Sequence, residues 1–280
     1  MKRALEFITE IYRRSPALAA TGWLMLAATA VMLSVAPFDA RTITGINPWI
    51  KPLKFTISIT IFVWTLAWFL DYLAHRRWAV RLIGWGVSFL FVVEMFCVIL
   101  QAARGMASHF NVKTPFDAAV FSTMGLMIVV NTALVLLTLV LFFARTRSEL
   151  PPAYLWGIRL GLLLFLLASV EGMAMIARFG HTVGQPDGGP GLPIVNWSTR
   201  AGDLRIAHFL GFHALQLLPL IGYGLSRWRA RLAPSRQVSL LFIVALLYAT
   251  VGVLLFEQAM RGRPFISLGS FISLIGVLHL

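Results

Sequence analysis

Long apolar runs recur along the whole of this 280-residue chain, and they constrain its fold more than any other feature. An α-helix rises about 1.5 Å per residue, so roughly 20 apolar residues cross the hydrocarbon core of a bilayer. In lipid, a helix also satisfies its own backbone N–H and C=O groups. Because 59% of the residues are hydrophobic and only 12% are charged, the sequence predicts an all-α, polytopic transmembrane helical bundle.

The apolar runs predict seven or eight membrane spans within one membrane domain, residues 1–280. The run 17–36 is too long for the core of a signal peptide, so we expect the first helix to be retained. A shorter run at 264–280 is the candidate for an eighth crossing. The seven longer runs cover residues 17–36, 55–73, 82–103, 117–143, 155–177, 204–225 and 238–260.

The positive charge of the chain is clustered between these runs. The net charge is +13, and arginines concentrate in short segments at 75–81, 145–147 and 227–236. Short loops rich in Lys and Arg stay in the cytoplasm and face anionic lipid. The pattern therefore predicts an inner (plasma) membrane protein with a cytoplasmic N-terminus, and we interpret the charge as setting topology, with no nucleic acid as partner.

Two short motifs indicate an internal repeat. Residues 101–105 read QAARG and residues 258–262 read QAMRG, and each motif is followed by a Pro-Phe pair, at 115–116 and 264–265. Four crossings restore the original orientation, so a four-plus-four repeat would have parallel halves. The motifs predict halves at 1–147 and 148–280, with the eighth helix completing the second half.

The longest polar departure from the apolar pattern is the stretch 180–216, which leads into a helix with two histidines. Asp203 is placed to cap that helix, and Arg205 follows in its first turn, where the helix dipole disfavours a cation. We therefore expect an anion near Arg205, which could be a lipid headgroup, a carboxylate or an anionic ligand. Counting from Asp203, His208 is about 7 Å deep and His213 about 15 Å deep, near the bilayer centre. Gln216 lies three residues deeper, on nearly the same face as His213.

Polar residues at matching depths on other runs predict a buried polar network. Glu94, Glu171 and Asn131 lie inside apolar runs, where unpaired polar groups are costly and are more often functional. The remaining candidates come from the loops predicted to be non-cytoplasmic. The complete set of candidate ligand- or ion-binding residues is Glu94, Arg104, His109, Asn131, Glu171, Arg178, Asp203, Arg205, His208, His213, Gln216 and Arg261.

Four segments of the chain form a recognisable pattern: NPWIKPLKF, RGMASHFN, NWSTRAGDLRIAHFLGFHALQLLP and EQAMRGRPF. Together they resemble a family of bacterial polytopic integral membrane proteins to which no activity is assigned. The resemblance covers most of the chain and implies a protein of the bacterial inner membrane in which the four segments belong to one site. It implies no mechanism and no residue roles.

Three functions fit these observations. The first is a membrane protein that binds or transports a small ligand or ion. The second is a membrane-embedded oxidoreductase or enzyme with haem b or a transition metal, for which the ligand candidates are His109, His181, His208 and His213. Five residues separate His208 from His213, which places them about 140° apart on a helix, so the two alone do not form a chelating pair. The third is an accessory or assembly protein whose polar network is purely structural.

Overall fold

The computed structural model of the chain describes residues 2–144, 149–228 and 231–266. These residues form an all-α fold with a minimal strand pair, as the sequence predicts. A short 3₁₀ turn, Ala36–Phe38, follows the second helix, and β1 (Thr182–Val183) pairs antiparallel with β2 (Gly202–Asp203). The helices are α1 (Lys2–Arg14), α2 (Pro16–Val35), α3 (Ile50–Asp71), α4 (Arg77–Ala103), α5 (Pro115–Phe143), α6 (Pro152–Arg178), α7 (Arg205–Trp228) and α8 (Pro234–Met260).

Within the described residues, the seven helices α2–α8 are long and apolar enough to cross a membrane. Each predicted span corresponds to one of them, so the seven spans are confirmed. Four of these helices begin with proline, which suits the first helical position because the N–H it lacks has no partner there. The eighth predicted span, 264–280, lies outside the described residues from position 267 onward.

The chain divides into two compact units. Unit 1 comprises Met1–Ile43 and Asn47–Pro151, and unit 2 comprises Thr44–Ile46 and Pro152–Leu280. In unit 1, α2, α3 and α4 pack against one another, α1 packs on α2 and α3, and α5 packs on α4. In unit 2, α6, α7 and α8 pack against one another.

The two Gln-Ala-x-Arg-Gly motifs form the same helix cap. At the end of α4, Gly105 adopts φ +71°, its N–H donates to the Ala102 carbonyl, and the next N–H donates to the Gln101 carbonyl. At the end of α8, Gly262 has φ +71° and makes the equivalent bonds. This is the Schellman arrangement, which favours glycine because a Cβ disfavours the left-handed region. The repeat itself stays a prediction.

Small residues bring α6 and α7 into backbone contact. A Cβ added to Gly222 would lie 2.3 Å from the Ala153 carbonyl oxygen, and one added to Gly157 would lie 2.6 Å from that of Leu218. Gly161 meets the Ala214 carbonyl oxygen in the same way, at 2.8 Å. Helices in lipid associate through such close van der Waals packing, since no hydrophobic effect drives them together. We call this contact the glycine seam.

An additional helix, α1, was not predicted from the sequence. Its inner side buries Ile11, and Arg14 stacks on the Trp68 ring at 3.8 Å. Arg13 and Arg14 both donate to the Glu10 carboxylate, and the Arg13 hydrogen bond is the main reason that the pKa of Glu10 falls to about 2. Arg14 also pairs with Asp71 at the end of α3. The Arg14–Asp71 pair and the Trp68 contact attach α1 to α3.

Candidate functional site

A buried carboxylate and a loop histidine meet inside unit 1. Glu94 of α4 is 1% exposed, and its Oε1 lies 4.0 Å from Nε2 of His109. Neither carboxylate oxygen has a hydrogen-bond partner among the described residues. Glu94 lies nine residues before the end of α4, about 13 Å along the helix. The loop 104–114 therefore turns back along the bundle to bring His109 to it.

Both ends of this loop are fixed. The Schellman cap at Gly105 sets its start. At its end, Thr114 accepts a hydrogen bond from the Asp117 N–H as the N-cap of α5, and its hydroxyl donates to the Asp117 carboxylate. Between them, Asn111 donates to the Ala107 carbonyl. The loop thus holds His109 in a defined position.

Aromatic rings surround His109. The rings of Phe55, Phe110 and Phe121 have centroids 5.8, 6.2 and 6.3 Å from the imidazole centroid. On the polar side, Nδ1 of His109 lies 3.0 Å from the Ser108 hydroxyl. Nζ of Lys51, near the start of α3, lies 5.8 Å from the centroid of the Phe55 ring. The pair therefore lies in an apolar box with one cation nearby.

Two further buried polar groups lie deeper between α4 and α5. The Ser88 hydroxyl and the Asn131 side-chain oxygen have no hydrogen-bond partner among the described residues. The two antiparallel helices meet where a Cβ on Gly86 would touch Leu134. Counting from that contact, Ser88 and Asn131 lie within about 2 Å of the same level, and Glu94 about 9 Å nearer the loop than Ser88. Unit 1 thus contains polar groups at two depths.

Arg104, another predicted site residue, belongs to a hydrogen-bond network between α4 and α5. Its Nη1 donates to Oδ1 of Asp117 at 2.7 Å and to the side-chain oxygen of Gln101. Gln101 donates to the same carboxylate oxygen at 2.9 Å. Asp117 is fully buried at the start of α5, where a carboxylate also suits the helix dipole. This network joins α4 to α5.

In unit 2, Asp203 binds Arg205. Oδ1 of Asp203 accepts the backbone N–H and Nε–H of Arg205, and Oδ2 accepts Nη2–H at 2.6 Å. Arg205 also donates to the Asn196 carbonyl. The anion expected near Arg205 is therefore a carboxylate of the same turn. Arg261 similarly pairs with Glu257, and Arg178 is exposed.

The two α7 histidines have different surroundings. Nδ1 of His208 lies 2.8 Å from the Ala168 carbonyl oxygen of α6, so it donates and leaves Nε2 as the acceptor. Its ring is 4.0 Å from that of Phe212, which identifies a packing contact. His213 instead packs on Phe209, with ring centroids 4.2 Å apart.

Glu171 and His181 complete the predicted candidates of unit 2. The Oε2 of Glu171 has no hydrogen-bond partner among the described residues. Nδ1 of His181 lies 2.6 Å from Asp187, which also accepts the backbone N–H of His181 and the Thr182 hydroxyl. Burial alone would raise the pKa of Asp187, but the hydrogen bonds from His181 and Thr182 outweigh it and hold the pKa below its ordinary value. Asp187 thus organises the start of the 179–204 loop.

The predicted polar network divides between the units. Glu94 and Asn131 belong to unit 1, and Glu171, His213 and Gln216 belong to unit 2, so the network as a whole stays a prediction. Within the parts of the chain that the structure describes, no group of three or more His, Cys, Asp or Glu side chains could hold a metal ion. The metal and haem alternatives built on His109, His181, His208 and His213 therefore gain no support from the geometry.

Seven apolar helices and buried polar side chains define a multi-pass membrane protein. Comparisons with protein-family models, with curated proteins and with solved structures give no match. The resemblance to a bacterial membrane-protein family therefore stays a prediction, and functional inference rests on the site itself.

The sequence prediction missed the surroundings of Glu94. Phe55 and Phe121 read as ordinary apolar residues of two spans, and Lys51 as a charge at a span end. The signal that could have found them is depth, because Phe55 and Phe121 each lie about one and a half turns inside a helix that begins at the same end of unit 1 as His109. Depth does not give the direction in which a loop turns.

Proposed function

We propose that this chain is a multi-pass protein of the bacterial inner membrane that binds or transports a small ligand or ion, with Glu94 and His109 as its intramembrane proton- or cation-binding pair. In this proposal the N-terminus is cytoplasmic and the loop 104–114 faces the opposite side. The arginine clusters at 75–81 and 227–236 support this orientation, since such loops remain beside anionic cytoplasmic lipid.

The observation that carries the proposal is the contrast between two buried carboxylates of unit 1. Asp117 accepts hydrogen bonds from Gln101, Arg104 and Thr114, as expected of a group that holds helices together. Glu94 is just as buried but has no hydrogen-bond donor among the described residues. A carboxylate that only joined helices would be satisfied by them, because an unsatisfied polar group in hydrocarbon is costly.

The chemistry of the pair suits the binding of a proton or a small cation. A carboxylate can take up a proton or a cation, and imidazole can accept a proton on one nitrogen and release it from the other. His109 links the Ser108 hydroxyl, through Nδ1, to the Glu94 carboxylate, through Nε2. The aromatic box keeps bulk solvent away and strengthens electrostatic interactions with the pair. Ionisable groups at such positions in membrane proteins mark proton relays and ion paths.

The test is infrared titration of the full-length protein in lipid nanodiscs, in which a protonated carboxyl group has its own C=O band. We expect a titrating band from a buried carboxyl that disappears in Glu94→Gln and shifts its titration in His109→Gln. Glu257→Gln is the matched control, because Glu257 is half exposed and paired with Arg261. Its spectrum should retain the band.

A second measurement connects the pair to transport. In proteoliposomes with an internal pH-sensitive dye and an imposed membrane potential, the wild type should move protons and Glu94→Gln should not. Wild-type and Glu94→Gln proteins with identical infrared bands and identical proton flux would overturn the proposal. Those results would favour the accessory function with a purely structural network.

A further inference from the structure

An open pocket of about 260 Å³ lies on unit 1 beside the loop that carries His109. Its walls come from the loop after α2, through Thr42 and Ile43, and from the 104–114 loop, through Met106, Phe110 and Lys113 among others. A water molecule takes up about 30 Å³ in the liquid, so the pocket has room for a ligand of several heavy atoms.

One positive charge dominates this pocket. Lys113 is exposed and forms no ion pair with a carboxylate among the described residues. The nearby arginines are neutralised, because Arg41 pairs with Asp39 and Arg104 pairs with Asp117. The net charge beside the pocket is therefore that of one cation, Lys113, and the Thr42 hydroxyl is a second hydrogen-bond donor.

Most of the other lining side chains are apolar, and the amide of the polar one, Asn111, already donates to the Ala107 carbonyl. Ile43, Met106 and Phe110 contribute side chains that suit a hydrocarbon portion of a ligand. A single cation beside these apolar side chains matches a ligand with one negative charge and a short hydrocarbon part. A divalent anion such as phosphate would leave one charge uncompensated and would meet apolar surface.

Phe110 connects the pocket to the buried pair. It lines the pocket, and its ring also packs on His109 and on Phe121, with centroid distances of 6.2 and 5.6 Å. Its backbone lies at φ +55°, in the left-handed region that costs a non-glycine residue about 1–2 kcal/mol. Such strain is maintained where surrounding structure imposes it, often at ligand sites.

We propose that this pocket binds a small monocarboxylate, with Lys113 pairing with its carboxylate and Phe110 separating the bound ligand from His109. The inference deepens the function proposed above by naming a ligand class, and it rests on that function for the link between ligand and proton. A monocarboxylate beside a proton-binding pair is the arrangement that co-transport of an organic acid with a proton requires.

The probe is butyrate, titrated by calorimetry into the full-length protein in nanodiscs, with butyramide and inorganic phosphate for comparison. We expect butyrate to bind and both comparison compounds to bind at least about tenfold more weakly. Lys113→Gln should weaken butyrate binding about five- to tenfold, and Lys113→Arg should retain it. Arg200→Gln, which removes the same charge from an exposed residue outside the pocket, should leave it unchanged.

The outcomes separate this proposal from the previous one. Glu94→Gln should lose the infrared carboxyl band and still bind butyrate, whereas Lys113→Gln should keep the band and lose affinity. No butyrate binding to the wild type, equal binding by Lys113→Gln, or butyramide binding as tightly as butyrate would overturn the monocarboxylate pocket while leaving the proton-binding proposal standing. Tighter binding of phosphate than of butyrate would overturn it as well.

Discussion

A single methyl group at Gly222 should loosen the glycine seam measurably. In the structure, a Cβ at this position would lie 2.3 Å from the backbone oxygen of Ala153, and real Cβ atoms essentially never come closer than 3.0 Å. That oxygen belongs to a helix backbone, so it cannot rotate away as a side chain would. The Gly222→Ala variant therefore has to separate α6 and α7 locally by about 0.7 Å or more.

The magnitude follows from two opposing effects. Overpacking a well-packed contact costs about 1–3 kcal/mol, since neighbouring atoms lose part of their dispersion energy. Alanine in place of glycine in a helix returns roughly 0.5–1 kcal/mol through propensity. We expect a net loss of about 1–2 kcal/mol in the free energy of unfolding. Gly125→Ala is the matched control, because a Cβ there meets nothing within 4 Å, so it should gain roughly 0.5 kcal/mol.

The assay is denaturant unfolding of both variants in mixed micelles, followed by circular dichroism. Opposite signs for the two glycines would support the close backbone approach of α6 and α7. If Gly222→Ala were as stable as Gly125→Ala, the helices would not be in backbone contact at this point, and the packing described for unit 2 would be wrong.

Three further outcomes are expected. Asp203→Asn leaves the Arg205 guanidinium without its carboxylate in a site where Asp203 is 1% exposed, and should destabilise unit 2 by about 2–3 kcal/mol in thermal unfolding. The matched change Asp39→Asn breaks the Asp39–Arg41 pair, whose arginine is 48% exposed, and should lower the free energy of unfolding by less than about 1 kcal/mol. Thr114→Ala removes the N-cap of α5 and should lower the free energy of unfolding by about 1 kcal/mol, whereas Thr114→Ser should retain the cap and the stability. The pKa of Asp187 in the folded state lies below its unfolded value of about 4. The stability that Asp187 contributes is therefore fully present above about pH 4, and it is lost as the pH falls through the folded pKa. Pepsin should therefore cleave the 179–204 loop faster with increasing acidity.

Each of these outcomes has its own contradicting result. Equal losses for the two aspartate variants would mean that burial does not distinguish the two pairs. A serine variant as unstable as the alanine variant at position 114 would remove the capping explanation. In the loop, pepsin should cleave Asp187→Asn rapidly at every acidic pH. A wild-type cleavage rate that does not change with pH would contradict the predicted pH dependence of loop stability.

The sequence predicted the membrane spans well because hydropathy is a local property. Each of α2–α8 contains one apolar run that ends at charged or proline-rich segments. Helix α1 was missed because it is short and mixes Ile11 with Glu10, Arg13 and Arg14, and its stability depends on packing against α2 and α3. An isolated helix of this length is only marginally stable in water, and it contains no long apolar run.

The site could be predicted residue by residue but not as an arrangement. Glu94 and His109 were both candidates, yet nothing in the sequence states that the loop after α4 turns back toward Glu94. Arg205 illustrates the opposite case. Its need for an anion follows from the helix dipole, and the anion is Asp203, two residues earlier.

The glycine seam also limits how unit 2 can move. Two helices whose backbones touch at several levels cannot slide or tilt against each other without breaking many contacts at once, because packed interfaces change between discrete states and do not deform smoothly. We therefore expect α6 and α7 to move as one rigid body. Any rearrangement within unit 2 should then involve α8, most of whose surface is not covered by other helices of the described chain.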